Sequence, residues 1–139
     1  MRKRTMARES ALKILYAIDI TKDAPDKCID NFWLSQDKTA QEVKSYADDI
    51  VLGVCHNLAR IDKVVSECAT NWELDRMAVI DRNILRLGTY ELMFMDEVPP
   101  KVAINQAIDI AKRYGDKDSG KFVNGVLDKI SKEKKKSSE

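Results

Sequence analysis

The chain has no apolar run approaching the ~20 residues that span a bilayer. Its basic N-terminus leads into amphipathic, charge-dotted sequence, not the roughly 7–15-residue apolar block of a secretory signal. Both absences predict a cytoplasmic protein. Cysteine is scarce and odd in number: Cys28, Cys55 and Cys68 are widely spaced with no CxxC pair. That pattern suits a reducing compartment and excludes a disulfide framework. The one histidine, His56, follows Cys55 directly, and on a helix neighbours point about 100° apart. The pair therefore reads as a core cysteine beside a surface histidine, not as a nucleophile with its base. GxGxxG, Walker, HExxH and GxSxG motifs are all missing. Asp48 and Asp49 are adjacent and do not share a helix face. These gaps predict no catalysis, no cofactor and no metal site.

What remains is a globular composition: 139 residues, 44% hydrophobic and 34% charged. The length fits one domain able to bury a core unaided. The formal net charge of +1 conceals an asymmetry. Residues 1–13 carry five basic groups against one acid, residues 129–139 five against two, and residues 14–100 nine against sixteen. Basic ends flank an acidic middle, so a polyanion and a basic partner could each find a place.

Apolar spacing is helical throughout. Ala7, Ala11, Ile14, Leu15 and Ile18 mark a helix over about 4–20, which Pro25 ends. A short helix follows over about 26–34. Val43, Ala47, Ile50, Val51, Val54 and Leu58 mark a third, and Ile61 to Cys68 another, with either a kink or a break at 57–60. Residues 70–75 form a connection that Trp72 is placed to plug. Met77–Met95 is apolar on more than one side, as suits a central helix. Pro99 and Pro100 open a helix through Tyr114. After a turn at 115–118, Asp118 or Ser119 caps a last helix to about Ile130. The tail 132–139 lacks apolar residues and is expected to be frayed or disordered. No strand alternation and no repeat is present. The expectation is an all-α domain over 1–139, split near Trp72 into bundles at about 4–70 and 75–131.

Three features could carry function. Arg4 and Arg8, one turn apart, continue the side of the first helix that holds Leu12 and Leu15. They are expected to project guanidinium groups beyond the core, where such groups bind phosphate and stack on bases. A solubilising terminus is the plainer alternative. In Gly115–Phe122 a turn enters a helix whose first N–H groups favour anions. Lys117 and Lys121 add charge there and Phe122 a stacking face; a capped helix start over a core Phe122 is the alternative. Gly125 lies inside the last helix, at a cost that predicts close approach of something to its backbone, a neighbouring helix being the simplest candidate. An acidic stretch at Asp75 and Asp81 could receive a basic protein, or be a solvated face.

Taken together, several segments resemble the NusB family of bacterial transcription antitermination factors. They are Arg8-Glu9-Ser10-Ala11-Leu12 with Leu15-Tyr16, Ile80–Arg86 with Tyr90-Glu91-Leu92, Val98-Pro99, Lys101–Asn105, Ala111-Lys112, and Asp118-Ser119 with Lys121–Asp128. The match is strong from about 75 to 130 and thinner from 23 to 58. It implies an all-α fold of two packed three-helix-type bundles, about seven helices in all. It implies binding of boxA-type single-stranded leader RNA together with the ribosomal protein NusE. Other Nus factors and RNA polymerase would be met indirectly, supporting transcription of ribosomal RNA operons. By position, the resemblance implies RNA contacts at Arg2, Lys3, Arg4, Arg8, Tyr16, Asp118, Lys121 and Phe122, and NusE contacts at Asp75 and Asp81. Thr5 and Met6 interrupt the arm where some relatives carry an unbroken arginine run.

Two rivals stand beside this reading. The fold also serves as the RNA-binding domain of a ribosomal-RNA cytosine methyltransferase, but that enzyme needs a Rossmann-like domain, which is not expected here. A helical scaffold or homodimerisation module without RNA recognition is the other, since some members of the family are homodimers.

Overall fold

Local chemistry sets each helix boundary. The computed structural model describes residues 2–138, and among them are seven α-helices and no strand. α1 spans Lys3–Thr21 and closes at Lys22, which adopts φ 62° and donates its N–H to the Ile18 carbonyl. α2 (Pro25–Leu34) and α6 (Pro100–Tyr114) each begin with a proline, where a missing N–H costs nothing. α3 (Gln41–His56) and α4 (Leu58–Cys68) are separate helices. The break is at Asn57, whose side-chain amide donates to the Gly53 carbonyl at 2.8 Å and so satisfies an end of α3. A single 3-10 turn at Leu74–Arg76 precedes α5 (Val79–Phe94), and α7 is Ser119–Ser138.

α5 is the hub. It packs on α1, α3, α4, α6 and α7, while α2 leans on α1 and α3. α4, although it follows α3 in the chain, packs mainly on α5 and α7. Ile84, Leu85 and Leu87 are at most 1% exposed, and each such side chain contributes about 1.5–3 kcal/mol on burial. Two close approaches seat the hub. A Cβ on Gly53 would stand 2.1 Å from the Tyr90 ring, and one on Gly88 would stand 2.7 Å from Leu127. Larger residues there would push α3 and α7 off α5.

Two expectations about α7 fail. The helix does not fray after Ile130; it continues to Ser138. Lys134 donates to the Leu92 carbonyl, one of the otherwise unpaired carbonyls at the end of α5, and lies 3.5 Å from Asp96. Lys132 pairs with Asp128 at 3.0 Å one turn back. Nor does a neighbouring helix cover Gly125. That residue is exposed, and a Cβ built on it meets nothing within 4 Å. Glycine there costs the helix about 1 kcal/mol against alanine with no internal gain.

Candidate nucleic-acid interface

The N-terminal arm is a helix start without an acidic residue in its first turn and without a side-chain cap. Cations there oppose the helix dipole, and acids of α3 offset them: Lys3 Nζ lies 3.1 Å from Glu42. The Arg4 guanidinium sits 4.7 Å above the centre of the Tyr46 ring. Arg2, Lys3 and Arg4 are exposed.

Arg8 is not. It is 3% exposed, with Nε donating to Glu91 Oε1 at 2.9 Å and Nη2 to Oε2 at 2.8 Å. The Tyr46 hydroxyl donates to the same Oε2 at 2.6 Å, and Glu91 has no exposed surface at all. The expectation that Arg8 projects beside Arg4 is therefore corrected. Position 8 shares a face with Ala11, Leu12 and Leu15, and that face looks onto α5, where Glu91 receives it. The signal was legible in α5, because Glu91 falls one turn after Leu87 and two after Ile84, in the buried stripe. A carboxylate in that register calls for a buried cation. Glu91 holds the Arg8 pKa up against the burial that would lower it. Burial, then Glu91, pushes the Tyr46 phenol up as well.

The second element is built around Asp116. The Asp118 N–H donates to Asp116 Oδ1 at 2.8 Å, and the Asp116 N–H donates to Ser119 Oγ at 3.0 Å. Sequence reasoning gave the turn to Asp118 or Ser119 and missed Asp116. Gly115 admits the fold-back, since a Cβ there would stand 2.4 Å from Ser119 Oγ. Lys117, Asp118 and Lys121 are exposed on the corner; Phe122 is half-buried.

Arm and corner are neighbours. The Tyr114 hydroxyl, one residue before Gly115, donates to Glu9 Oε1 at 3.1 Å, and Arg113 pairs with the other oxygen of Glu9. Lys13 lies 5.7 Å from the centre of the Tyr114 ring. Thr5 reaches α6 through Gln106 at 2.8 Å. Tyr16, 39% exposed, follows Lys13 by one turn. Lys13 and Arg113 thus bridge the two segments, and neither was singled out from sequence. No local pattern marks them, because their proximity depends on how α1 and α6 meet.

Beyond the corner lies a groove of about 490 Å³ whose walls include Trp72, Met77, Asp81, Asp118, Lys121 and Phe122. Trp72 does not plug a junction. It is 53% exposed and stands edge-on to Phe122, ring centres 5.7 Å apart. Asp81 faces the same groove; it is 8% exposed and its Oδ1 has no hydrogen-bond partner. Burial raises its pKa, as does the charge of Asp116, against a hydrogen bond from Ser119 that lowers it. Asp75 is exposed on the 3-10 turn nearby in sequence. Of the residues expected for RNA, Asp118, Lys121 and Phe122 therefore adjoin Asp81, expected for a protein partner, along one groove. Burial also pushes the Cys55 and Cys68 thiols up, away from thiolate chemistry.

The NusB family profile matches residues 5–132. The transcription antitermination protein NusB of Anaeromyxobacter sp. (strain Fw109-5) is 50% identical over 129 residues, covering 93% of this chain and 90% of that protein. The T. maritima NusB structure superposes with a TM-score of 0.87 at 37% identity, covering 100% of this chain and 99% of the other. A structure of antitermination factors NusB and NusE in complex with dsRNA contains a chain with a TM-score of 0.88 at 31% identity, covering 96% and 98%.

Proposed function

The chain belongs to the NusB family, and from that membership we propose that it is a transcription antitermination factor binding RNA together with a NusE-type ribosomal protein. It acts by binding, without catalysis, on transcripts in the cytoplasm. The RNA is of boxA type. Arg2, Lys3 and Arg4 take phosphates at one end of the site, and Lys117 and Lys121 at the other. Lys13 and Arg113 bridge them. Tyr16 and Phe122 offer faces to unpaired bases, and Asp118 accepts hydrogen bonds from base edges. Arg8 acts from inside, holding the arm's helix onto α5. Asp75 and Asp81 receive basic groups of the partner.

The observation that carries this reading is the Glu9 junction, which ties the corner at Tyr114 to the helix that bears the arm. Phosphates met by the five to seven cations named give a log–log salt slope of roughly −3.5 to −5 for a single strand. The test is a filter-binding titration of a boxA-type RNA, with and without NusE, at several salt concentrations. Binding that NusE tightens and salt weakens is the expected result. No binding in either arm would leave only the scaffold reading. The relative's complex holds double-stranded RNA, so a duplex of the same sequence belongs in the titration. Stacking on Tyr16 and Phe122 requires the single strand to bind better.

A further inference from the structure

The protein has five glycines, and four have a reason inside the molecule. A Cβ would strike Tyr90 at Gly53, Leu127 at Gly88 and Ser119 at Gly115, and would press on Lys112 at 3.2 Å from Gly120. Gly125 has none: its Cβ would point into open space, from the exposed side of a twenty-residue helix. Alanine would fit there and favour the helix, so the need for a bare backbone lies outside the chain. The surroundings say what comes near. Residues one turn away on either side are Lys121 and Lys129, both exposed, and Lys132 lies two turns on. Lys121 and Phe122 are already corner residues, so the stripe continues that site. Two acids stand on this face: Asp128 is engaged by Lys132 at 3.0 Å in an exposed pair that a phosphate can displace, and Glu133 lies exposed one turn beyond Lys129.

We propose that the exposed stripe of α7 from Lys121 through Gly125 to Lys129 and Lys132 is a further RNA-binding surface, on which the sugar–phosphate backbone lies against the helix at Gly125. The lysines hold the phosphates, and the missing side chain lets the strand approach the helix axis. A basic protein would be repelled by the same stripe. This inference rests on the RNA-binding reading above and lengthens its track along α7.

The test uses Gly125→Ala, Gly125→Leu and Lys129→Ala in the full chain, with boxA-type RNA as the probe. Gly125→Ala should raise the Tm by about 2–5 °C and yet weaken RNA binding. Gly125→Leu should weaken it by about tenfold, and Lys129→Ala should lessen the salt slope by about 0.7. Stability gained while affinity falls is a result that a merely structural glycine cannot give. Unchanged RNA affinity in Gly125→Leu overturns the proposal. So does a loss confined to NusE affinity in calorimetry, or to self-association in sedimentation, because the face would then belong to a protein. Lys121→Ala and Arg4→Ala separate the two levels. If they weaken RNA binding and Gly125→Leu does not, only the α7 track is wrong; if none of the variants has an effect, the RNA reading itself fails.

Discussion

Arg4 and Arg8 are one helical turn apart and have opposite fates, which makes them separable by experiment. Arg8 is locked in a buried pair whose Coulomb gain is largely offset by desolvation, yet removing one member strands the other charge. Arg8→Ala should therefore cost about 3–5 kcal/mol in urea denaturation, and Arg8→Met with Glu91→Leu should recover most of that loss. Arg4→Ala should leave the denaturation midpoint nearly unchanged and weaken RNA binding. A large stability loss in Arg4→Ala would mean that its stacking on Tyr46 holds the fold together. Asp81 invites the converse substitution. Its buried Oδ1 is unpartnered and its charged form is disfavoured, so Asp81→Asn should raise the Tm. The same change should weaken the basic partner in calorimetry; partner affinity that survives it would remove Asp81 from that interface. At this scale the sequence was only half legible. Arg4 projects as expected, because it lies before the first buried residue of its helix, Ala7. Arg8 does not: the partner that draws it inward lies 83 residues away.

Helices as units were the most legible part, since their ends depend on neighbours in the chain: Pro25, Pro100 and the Gly115 turn act locally. What joins helices was not. The seam between α1, α4 and α5 is an ion network in which Asp19 Oδ2 accepts from Arg82 Nε at 2.9 Å, Asn83 Nδ2 at 2.9 Å and Arg86 Nη1 at 3.0 Å. Arg86 also spans to Asp62 of α4 at 2.9 Å. Burial of Asp19 opposes its charge, but the bonds from Arg82 and Asn83 and the charge of Arg86 outweigh it and hold the pKa at about 2. A carboxylate whose folded pKa is depressed stabilises the fold above its unfolded value, and that contribution disappears as pH falls through the folded one. The seam should thus hold fully above about pH 4 and lose about 2 kcal/mol by pH 2. Asp19→Asn should be less stable at pH 7 and show a shallower loss between pH 4 and 2 in thermal melts. Parallel curves for the two proteins would place the acid sensitivity elsewhere. The run of α7 to Ser138 has a similar cause: the bond from Lys134 to the Leu92 carbonyl links the ends of two helices and leaves no trace in local composition.

Across the whole molecule, ion pairing in the interior removes charges of both signs from the surface. Asp19, Asp62 and Glu91 are spent on Arg82, Arg86 and Arg8. Arg2, Lys3 and Arg4 at the start of α1, and Lys121, Lys129 and Lys132 on α7, remain exposed. About 13 Å of α1 separates Arg4 from Lys13, and the corner begins where Lys13 meets Tyr114. A single strand must therefore run along the helix to touch both ends, which makes length the whole-molecule test. An RNA long enough to span arm and corner should lose affinity in Arg4→Ala and in Lys121→Ala, and the two free-energy losses should add in the double variant because the sites share no partner. Each change should lessen the salt slope by about 0.7. A fragment of a few nucleotides reaches one end only, so it should respond to one variant and ignore the other. If the short fragment responds to both variants, or the long RNA to neither, then arm and corner do not form one track and the Glu9 junction is simply a packing contact between α1 and α6.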